Sequence, residues 1–260
     1  MLIPRQYSIL DLAKQVGRVT VEDLAVRFDV TPQTIRKDLN ELCDQRLLAR
    51  VHGGAILASS VENVGYDARR QIAAREKMAI GKAAAALVPN EASLFINIGT
   101  TTEAVAQALL QHSGLMVITN NINVANVMRA YPQVEVVIAG GVVRRSDGGI
   151  VGEAAVDFIR QFKVDFAIVG ASAIDDDGSL LDYDFREVKV AQAIMANARR
   201  VILVADSTKF DRTAPVRIGT VDQVDVFVTD RCPSDKLRSL LDTAEVDLVE
   251  AMPGAIATEA

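Results

Sequence analysis

Thr31, Gln33, Thr34, Arg36, Lys37 and Asn40 lie within twelve residues, TPQTIRKDLNEL at 31–42. Gln and Asn can pair bidentately with adenine and Arg with guanine in the DNA major groove. Hydroxyls at a helix start, here Thr31 and Thr34, reach phosphates where backbone N–H groups also point. A second set of candidates follows the apolar run SLFINI: Gly99-Thr100-Thr101-Thr102. A glycine lets backbone come close, and successive N–H groups with hydroxyls suit a phosphate. A capped helix start with no ligand is the other reading. Similar polar ends close other apolar runs: Thr119-Asn120-Asn121, Gly140-Gly141, Gly170-Ala171-Ser172 and Asp206-Ser207-Thr208-Lys209. Together they place hydroxyls, amides and one cation where a small polyhydroxylated anion could be held. Singly, Asn120 and Asn121 read equally well as turn residues, and Lys209 as a surface lysine.

Elements must position these side chains. Ile9, Leu12, Ala13 and Val16 recur at helical spacing, and Gly17 supplies a stop. Thr20 is an N-cap for a second helix with Val21, Leu24, Ala25 and Phe28 inward. Thr31-Pro32 restarts a third after a short connector, with Ile35, Leu39 and Leu42 inward. At about 100° per residue, that burial sends Gln33, Arg36, Lys37 and Asn40 outward and Asp38 toward the buried side, beside a neighbouring Arg. Helix, short turn and helix make the helix-turn-helix pattern. Leu47-Leu48, Val51 and Ala55–Leu57 around Gly53-Gly54 read as a two-stranded wing with Arg46, Arg50 and His52 nearby. A small protein-contact domain with a solvated Arg36-Lys37 face remains the alternative.

Residues 58–66 read as a linker, and a long helical pattern covers 67–88. Strands SLFINI, LMVIT, VEVVIA, DFAIVG, VILVAD and DVFVT then alternate with helical segments from about Glu103, Ile122, Glu153, Glu187 and Ser234. Such alternation predicts a parallel sheet covered on both faces, a Rossmann-like doubly wound arrangement. The expected architecture is α/β, with a winged helix-turn-helix at 1–57, a linker and the start of a connecting helix at 58–75, and a sheet domain at 76–253. Ligands of such sheets bind beyond the carboxyl ends of the strands. The loop Arg144–Gly149 is a basic, flexible lid or a solvated loop, and Asp175–Gly178 is a tight turn.

Charge is uneven. The chain carries −6, yet residues 1–57 hold eight Lys/Arg against seven Asp/Glu, and the rest twenty against twenty-seven. Overall acidity is therefore a property of the larger part, and a DNA footprint must come from local placement. Neither GxGxxG nor a P-loop is present, so no cofactor is expected. Cys43, Cys232, His52 and His112 fall outside metal-ligand spacing, so no metal is expected. No apolar run approaches the roughly 18 residues of a membrane span, and a cytoplasmic location without membrane partners is expected.

Thr31–Leu42 with the His52-Gly53-Gly54 wing resembles the DNA-binding domain of the DeoR family of bacterial transcription regulators. IGTTT, TNN, AGG and DSTKF resemble that family's sugar-phosphate sensor domain, and the resemblance covers essentially the whole chain. LFINIGTTTEAVAQALLQHSGL, TNNINVAN, RSDGGIVGEA, DFIRQF and IDDDGSLLDYD resemble the branch that regulates glycerol catabolism. The resemblance implies a repressor of glycerol uptake and catabolism genes that binds operator DNA as a homo-oligomer, dimer or tetramer. It also implies release by sn-glycerol 3-phosphate or a related sugar phosphate. The sensor domain is itself similar to ribose-5-phosphate isomerase. That likeness puts the phosphate at Gly99–Thr102, Lys209 at its rim and Glu187 near the general base; Asn120, Asn121 and Gly141 join them as effector-site candidates from their places at the strand ends. Leu180-Leu181-Asp182-Tyr183 replaces the isomerase's glycine-rich stretch, and Asp175-Asp176-Asp177 only partly echoes its acidic run. Proton transfer needs a base and an enediolate stabiliser, and the second is missing here. The resemblance thus implies a sensor with no catalytic residues. Asn97 departs from the Asp found in much of the family.

Overall fold

The computed structural model describes residues 2–44, 47–51, 53–57, 63 and 65–254. Most of the expected linker, 58–62 and 64, lies outside the described residues, as do Arg46 and His52. Helix α1 (Pro4–Val16) begins with proline at its first turn, buries Ile9, Leu10 and Ala13, and ends at Gly17 with φ 77°. Strand β1 (Arg18–Thr20) leads into α2 (Val21–Phe28), whose Asp23 N–H donates to Thr20 Oγ1 at 3.1 Å. Asp29, left-handed at φ 50°, turns the chain into α3 (Pro32–Asp44). Thr31 Oγ1 accepts from Thr34 N–H at 3.2 Å, the expected cap. Ile35, Leu39 and Leu42 are fully buried.

The wing has three strands, one more than expected. Strands β2 (Leu48–Val51) and β3 (Gly54–Leu57) form the hairpin, and β1 pairs antiparallel with β3. Gly17–Thr20 reads as a helix stop and an N-cap, yet burial of Val19 opposite Ala55 makes it a strand as well. Gly54 permits this pairing, because a Cβ there would lie 2.0 Å from the Val19 carbonyl oxygen.

The single long helix expected over 67–88 is two helices, α4 (Tyr66–Gln71) and α5 (Ala74–Ala85). The break is Ala73, left-handed at φ 52°. Its cause is Lys77, whose buried ammonium donates to the carbonyls of Ile72 (2.7 Å) and Arg69. Those are the carbonyls a helix end leaves without partners.

The sheet domain then runs β4 (Ser93–Ile96), α6 (Thr100–Ala108), β5 (Leu115–Thr119), α7 (Ile122–Met128) and β6 (Val134–Ile138). A hairpin, β7 (Val142–Val143) and β8 (Ile150–Val151), precedes α8 (Glu153–Ile159) and β9 (Val164–Val169). Next come β10 (Ala173–Ile174), β11 (Ser179–Asp182), α9 (Phe185–Ala196) and β12 (Ala198–Val204). The chain closes with β13 (Val216–Thr220), β14 (Val226–Thr229), α10 (Asp235–Thr243) and β15 (Asp247–Glu250). Seven strands pair in parallel in the order β15-β14-β12-β9-β4-β5-β6. Strand period 2 divides the core: Leu94 and Ile96 pack under α5–α7, whereas Phe95 packs with α8–α10. Strands β10, β11 and β13 form a separate antiparallel sheet. Among the described residues no helix is long and apolar enough to cross a membrane.

From β4 the chain works outward through β5 and β6, then returns to the other side of β4 at β9. The order thus reverses between β4 and β9, and their carboxyl ends flank a crevice there.

Candidate effector pocket and nucleic-acid interface

The outer face of α3 gathers the expected nucleic-acid residues. Thr31, Gln33, Thr34, Arg36, Lys37 and Asn40 line one shallow groove together with Arg5. Gln33, Arg36, Lys37 and Asn40 are exposed, and Arg50 is exposed on β2. The helix carries three carboxylates, Asp38, Glu41 and Asp44, and α1 takes the first two. Buried Asp38 accepts from Arg5 Nε at 2.6 Å, the expected pairing with a neighbouring Arg, and Glu41 accepts from Gln6 Nε2 at 2.7 Å. Among the described residues Arg36 and Lys37 have no ion pair. The face therefore presents amides and positive charge, although the chain is acidic.

The second site lies at the crevice between β4 and β9. Gly99 (φ 147°) turns the chain into α6 and leaves the first N–H groups of that helix pointing outward. Thr100, Thr101, Thr102, Glu187 and Lys209 join Gly99 around one cavity, with Gly170–Ser172, Asp182 and Arg69 completing the wall. The Thr102 hydroxyl is already used: it donates to the Asn97 carbonyl at 2.6 Å, with the Gly99 carbonyl at 2.8 Å. Thr102 therefore shapes the turn, while Thr100 and Thr101 remain as candidate ligand contacts. Asn97 is buried, and its Oδ1 accepts no hydrogen bond.

Three expected residues do not line this cavity. Asn120 Nδ2 donates to the Ile150 carbonyl at 3.1 Å. Asn121 caps α7 through Asn123 N–H (2.9 Å) and donates to Glu103 Oε1 at 3.1 Å. Gly141 is exposed at the entry to β7. All three belong to the neighbouring loops that hold the rim together.

Burial sets the electrostatics. Lys209, for which a surface lysine was one reading, is buried, and burial followed by the nearby Arg212 charge brings its ammonium down to about 7. Lys77 is brought down to about 8 by burial, against the pull of Asp206, whose Oδ2 lies 3.9 Å away. Asp206 is held below the ordinary carboxylate range despite burial, by Lys209 and Lys77. Burial and then Asp182 push Glu187 upward, against Arg144, whose Nη2 is 2.5 Å from it. Arg144 also bonds Asp147 (2.7 and 2.8 Å) and Asp184 (3.3 Å). The loop expected to be flexible is thus pinned, because buried Asp147 needs those partners.

The connecting segment forms a cover beside the cavity and supplies Arg69 to its wall. Asn63 Nδ2 donates to Ser172 Oγ at 3.0 Å, and Ser172 Oγ to Asp182 Oδ2 at 2.9 Å. The Tyr66 hydroxyl donates to Glu103 Oε2 at 2.8 Å and accepts from Asn123 Nδ2 at 2.9 Å. Arg69 Nη2 reaches Asp147 Oδ2 at 3.0 Å. The cavity is about 30 Å³, room for about one water. A larger guest needs side chains of the wall, Arg69 among them, to move. Asn63, Tyr66, Arg69, Arg144 and Arg212 were not among the expected site residues. The cation-rich stretches RRQIAAREK and STKFDR were the local signal for Arg69 and Arg212, and the basic loop Arg144–Gly149 for Arg144; Asn63 and Tyr66 had none.

Residues 5–61 match the DeoR-like helix-turn-helix domain, and residues 72–231 match the DeoR C-terminal sensor domain. The chain is 47% identical over 244 residues to the glycerol-3-phosphate regulon repressor of Escherichia coli, covering 94% of this chain and 97% of that one. It is 50% identical over 229 residues to the glycerol-3-phosphate regulon repressor of Haemophilus influenzae, covering 88% and 89%. Among solved structures, ribose 5-phosphate isomerase A from Neisseria gonorrhoeae is 14% identical with a TM-score of 0.38, covering 52% of this chain and 53% of that chain. The helix-turn-helix that presents Arg36 and the sheet domain that holds Lys209 are thus joined as in its full-length relatives, and the chain belongs to the DeoR family of transcriptional regulators.

Proposed function

We propose that this chain represses genes of glycerol uptake and catabolism in the cytoplasm, and that sn-glycerol 3-phosphate releases it from operator DNA. The observation that carries this reading is the 47–50% identity to glycerol-3-phosphate regulon repressors over nearly the full length. The geometry supports it. A homo-oligomer, dimer or tetramer, presents paired α3 faces to half-sites about 34–36 Å apart or at multiples of that distance. Gln33, Arg36 and Asn40 read base edges; Thr31, Thr34, Lys37 and the wing residues Arg50 and His52 hold the phosphate backbone. The effector's phosphate sits at the start of α6 against Thr100, Thr101 and Lys209.

The cover supplies the coupling. Asn63, Tyr66 and Arg69 belong to the segment that joins the winged unit to the sheet. A sugar phosphate that displaces them changes how the two winged units are held, and they no longer match their half-sites. Release requires tighter effector binding to the non-DNA arrangement; about 1.4 kcal/mol of preference gives tenfold.

Fluorescence anisotropy of a labelled fragment from upstream of the host's glycerol-catabolism genes tests this. Binding should be tight, salt-sensitive and reversed by sn-glycerol 3-phosphate, but not by glucose 6-phosphate or ribose 5-phosphate. Reversal by another ester alone would keep the regulator and replace its effector. Absence of salt-sensitive binding to that fragment would refute the operator assignment.

A further inference from the structure

The run Ala73–Ala79 consists of strong helix formers. The chain nevertheless breaks its helix at Ala73, whose φ of 52° is costly for an L-residue carrying a Cβ. One side chain holds the break. In an unbroken helix the carbonyls of Arg69 and Ile72 would accept from the N–H groups of Ala73 and Glu76. Here both accept from Lys77 Nζ instead, Ile72 at 2.7 Å. Ala73 provides no side-chain cap, so the first N–H groups of α5 have no acceptor within the helix. The Lys77 ammonium also faces Asp206 Oδ2 at 3.9 Å, and that buried oxygen accepts no hydrogen bond. A carboxylate therefore stands ready for Lys77 once the two carbonyls leave it.

The junction touches both functional regions. On one side Arg69, whose carbonyl Lys77 holds, lines the cavity, and a guest larger than a water needs that wall to move. On the other, Gln71, Ile72 and Ala73 share a groove with Leu12, Val16 and Arg27 of the winged unit, and α4 packs against α1. A change at Ala73 re-aims the helix on which the winged unit rests. We propose that the α4–α5 junction is a two-state hinge latched by Lys77, broken in the DNA-binding form; resting on the proposed effector reading, a sugar phosphate that moves Arg69 frees the latch and joins the two helices. The joined helix regains the backbone bonds that Lys77 replaces, and Ala73 leaves its left-handed conformation. Winged units carried on a joined helix no longer stand at the spacing of their half-sites.

The test uses the full chain with Ala73→Gly and Lys77→Met, read by amide hydrogen exchange across 72–77 and by operator anisotropy. In the wild type sn-glycerol 3-phosphate should slow exchange at 73–76 by about tenfold or more, as these amides find helix acceptors. Ala73→Gly relieves the left-handed residue and weakens the joined helix. Its ligand-free melting should hold or rise, while the ester concentration for half-release rises about tenfold. Lys77→Met loses the two bonds that hold the break. Without ester its exchange at 73–76 should already be slow and its operator affinity about tenfold weaker. Release of wild type by the ester with unaltered exchange at 73–76 overturns the hinge, and so does an unchanged half-release concentration in Ala73→Gly. Should Lys77→Met fail to fold, Ala73→Gly decides. If the ester does not release wild type, the effector reading fails; the latch falls with it only where Lys77→Met matches wild type in both ligand-free measurements.

Discussion

The α3 face and the rim of the sheet both collect positive charge, but they hold it in opposite ways. On α3 the cations Arg36 and Lys37 stand in water, while Asp38 and Glu41 are turned aside onto Arg5 and Gln6. An exposed cation costs the fold almost nothing, so under the proposed function this face is ready for DNA at any moment. On the rim Lys77 and Lys209 are buried and their ammonium groups are depressed by burial. Holding charge there costs stability until an anion offsets it, so an anion that binds should stabilise the protein by mass action. One region is built for encounter and the other for response.

The largest effect that would break this contrast is on the exposed side. Arg36→Ala removes a side chain with no internal partner among the described residues, so the fold should be unchanged. A bidentate base contact is worth about 1–3 kcal/mol. Operator affinity should therefore fall by roughly 5- to 150-fold in an anisotropy titration, with effector affinity unaltered. Unchanged operator affinity would remove α3 as the reading helix. Loss of both affinities together would show that the two regions are not separable.

How legible each region was follows from the same contrast. Everything that shapes the α3 face lies within a few turns: Ile35, Leu39 and Leu42 fix the inward side, and Thr31-Pro32 fixes the start. Parallel strands were legible for a similar reason, since runs such as VILVAD are buried on both faces. The broken helix at Ala73 was not, because its cause is a buried lysine that takes two carbonyls. Strands β10, β11 and β13 were missed because short segments distant in sequence pair only once the main sheet exists. The cover beside the cavity is the extreme case. Asn63 meets Ser172 and Arg69 meets Asp147 across separations of 109 and 78 residues, and no periodicity records such a contact. Gly99–Thr102 could be read as a phosphate turn, but that the Thr102 hydroxyl is consumed by Asn97 could not.

The coupling between the regions is sharpened by a smaller change, Tyr66→Phe. The hydroxyl holds the cover through Glu103 and Asn123. Its loss strands neither neighbour: Glu103 still accepts from Asn121 and Asn123, and Asn123 still donates to the Asp147 carbonyl. A net hydrogen bond is worth about 1 kcal/mol. The effector concentration for half-release of DNA should fall about fivefold, because opening the cover becomes easier. An unchanged or higher concentration would show that the cover does not limit effector entry.

The smallest expected effect is a pH dependence on the sensing side, and its sign follows from Lys209. Burial, then the Arg212 charge, leaves its ammonium near 7 in the ligand-free protein, below the ordinary lysine value. Above that pH the free side chain has lost its proton, and a dianion must restore it on binding. Effector affinity should therefore fall as pH rises from 7 to 9, by at most about tenfold per unit for one proton taken up. Lys77, depressed to about 8, acts in the same direction more weakly because Asp206 already favours its charged form. Below about pH 6 the ester itself gains a proton, so binding should be strongest between roughly 6 and 7. Lys209→Met should bind more weakly at pH 7 and show a flatter profile in calorimetry across that range. A wild-type affinity constant from pH 7 to 9 would mean that the buried ammonium does not meet the phosphate, and that Lys209 serves only to balance Asp206.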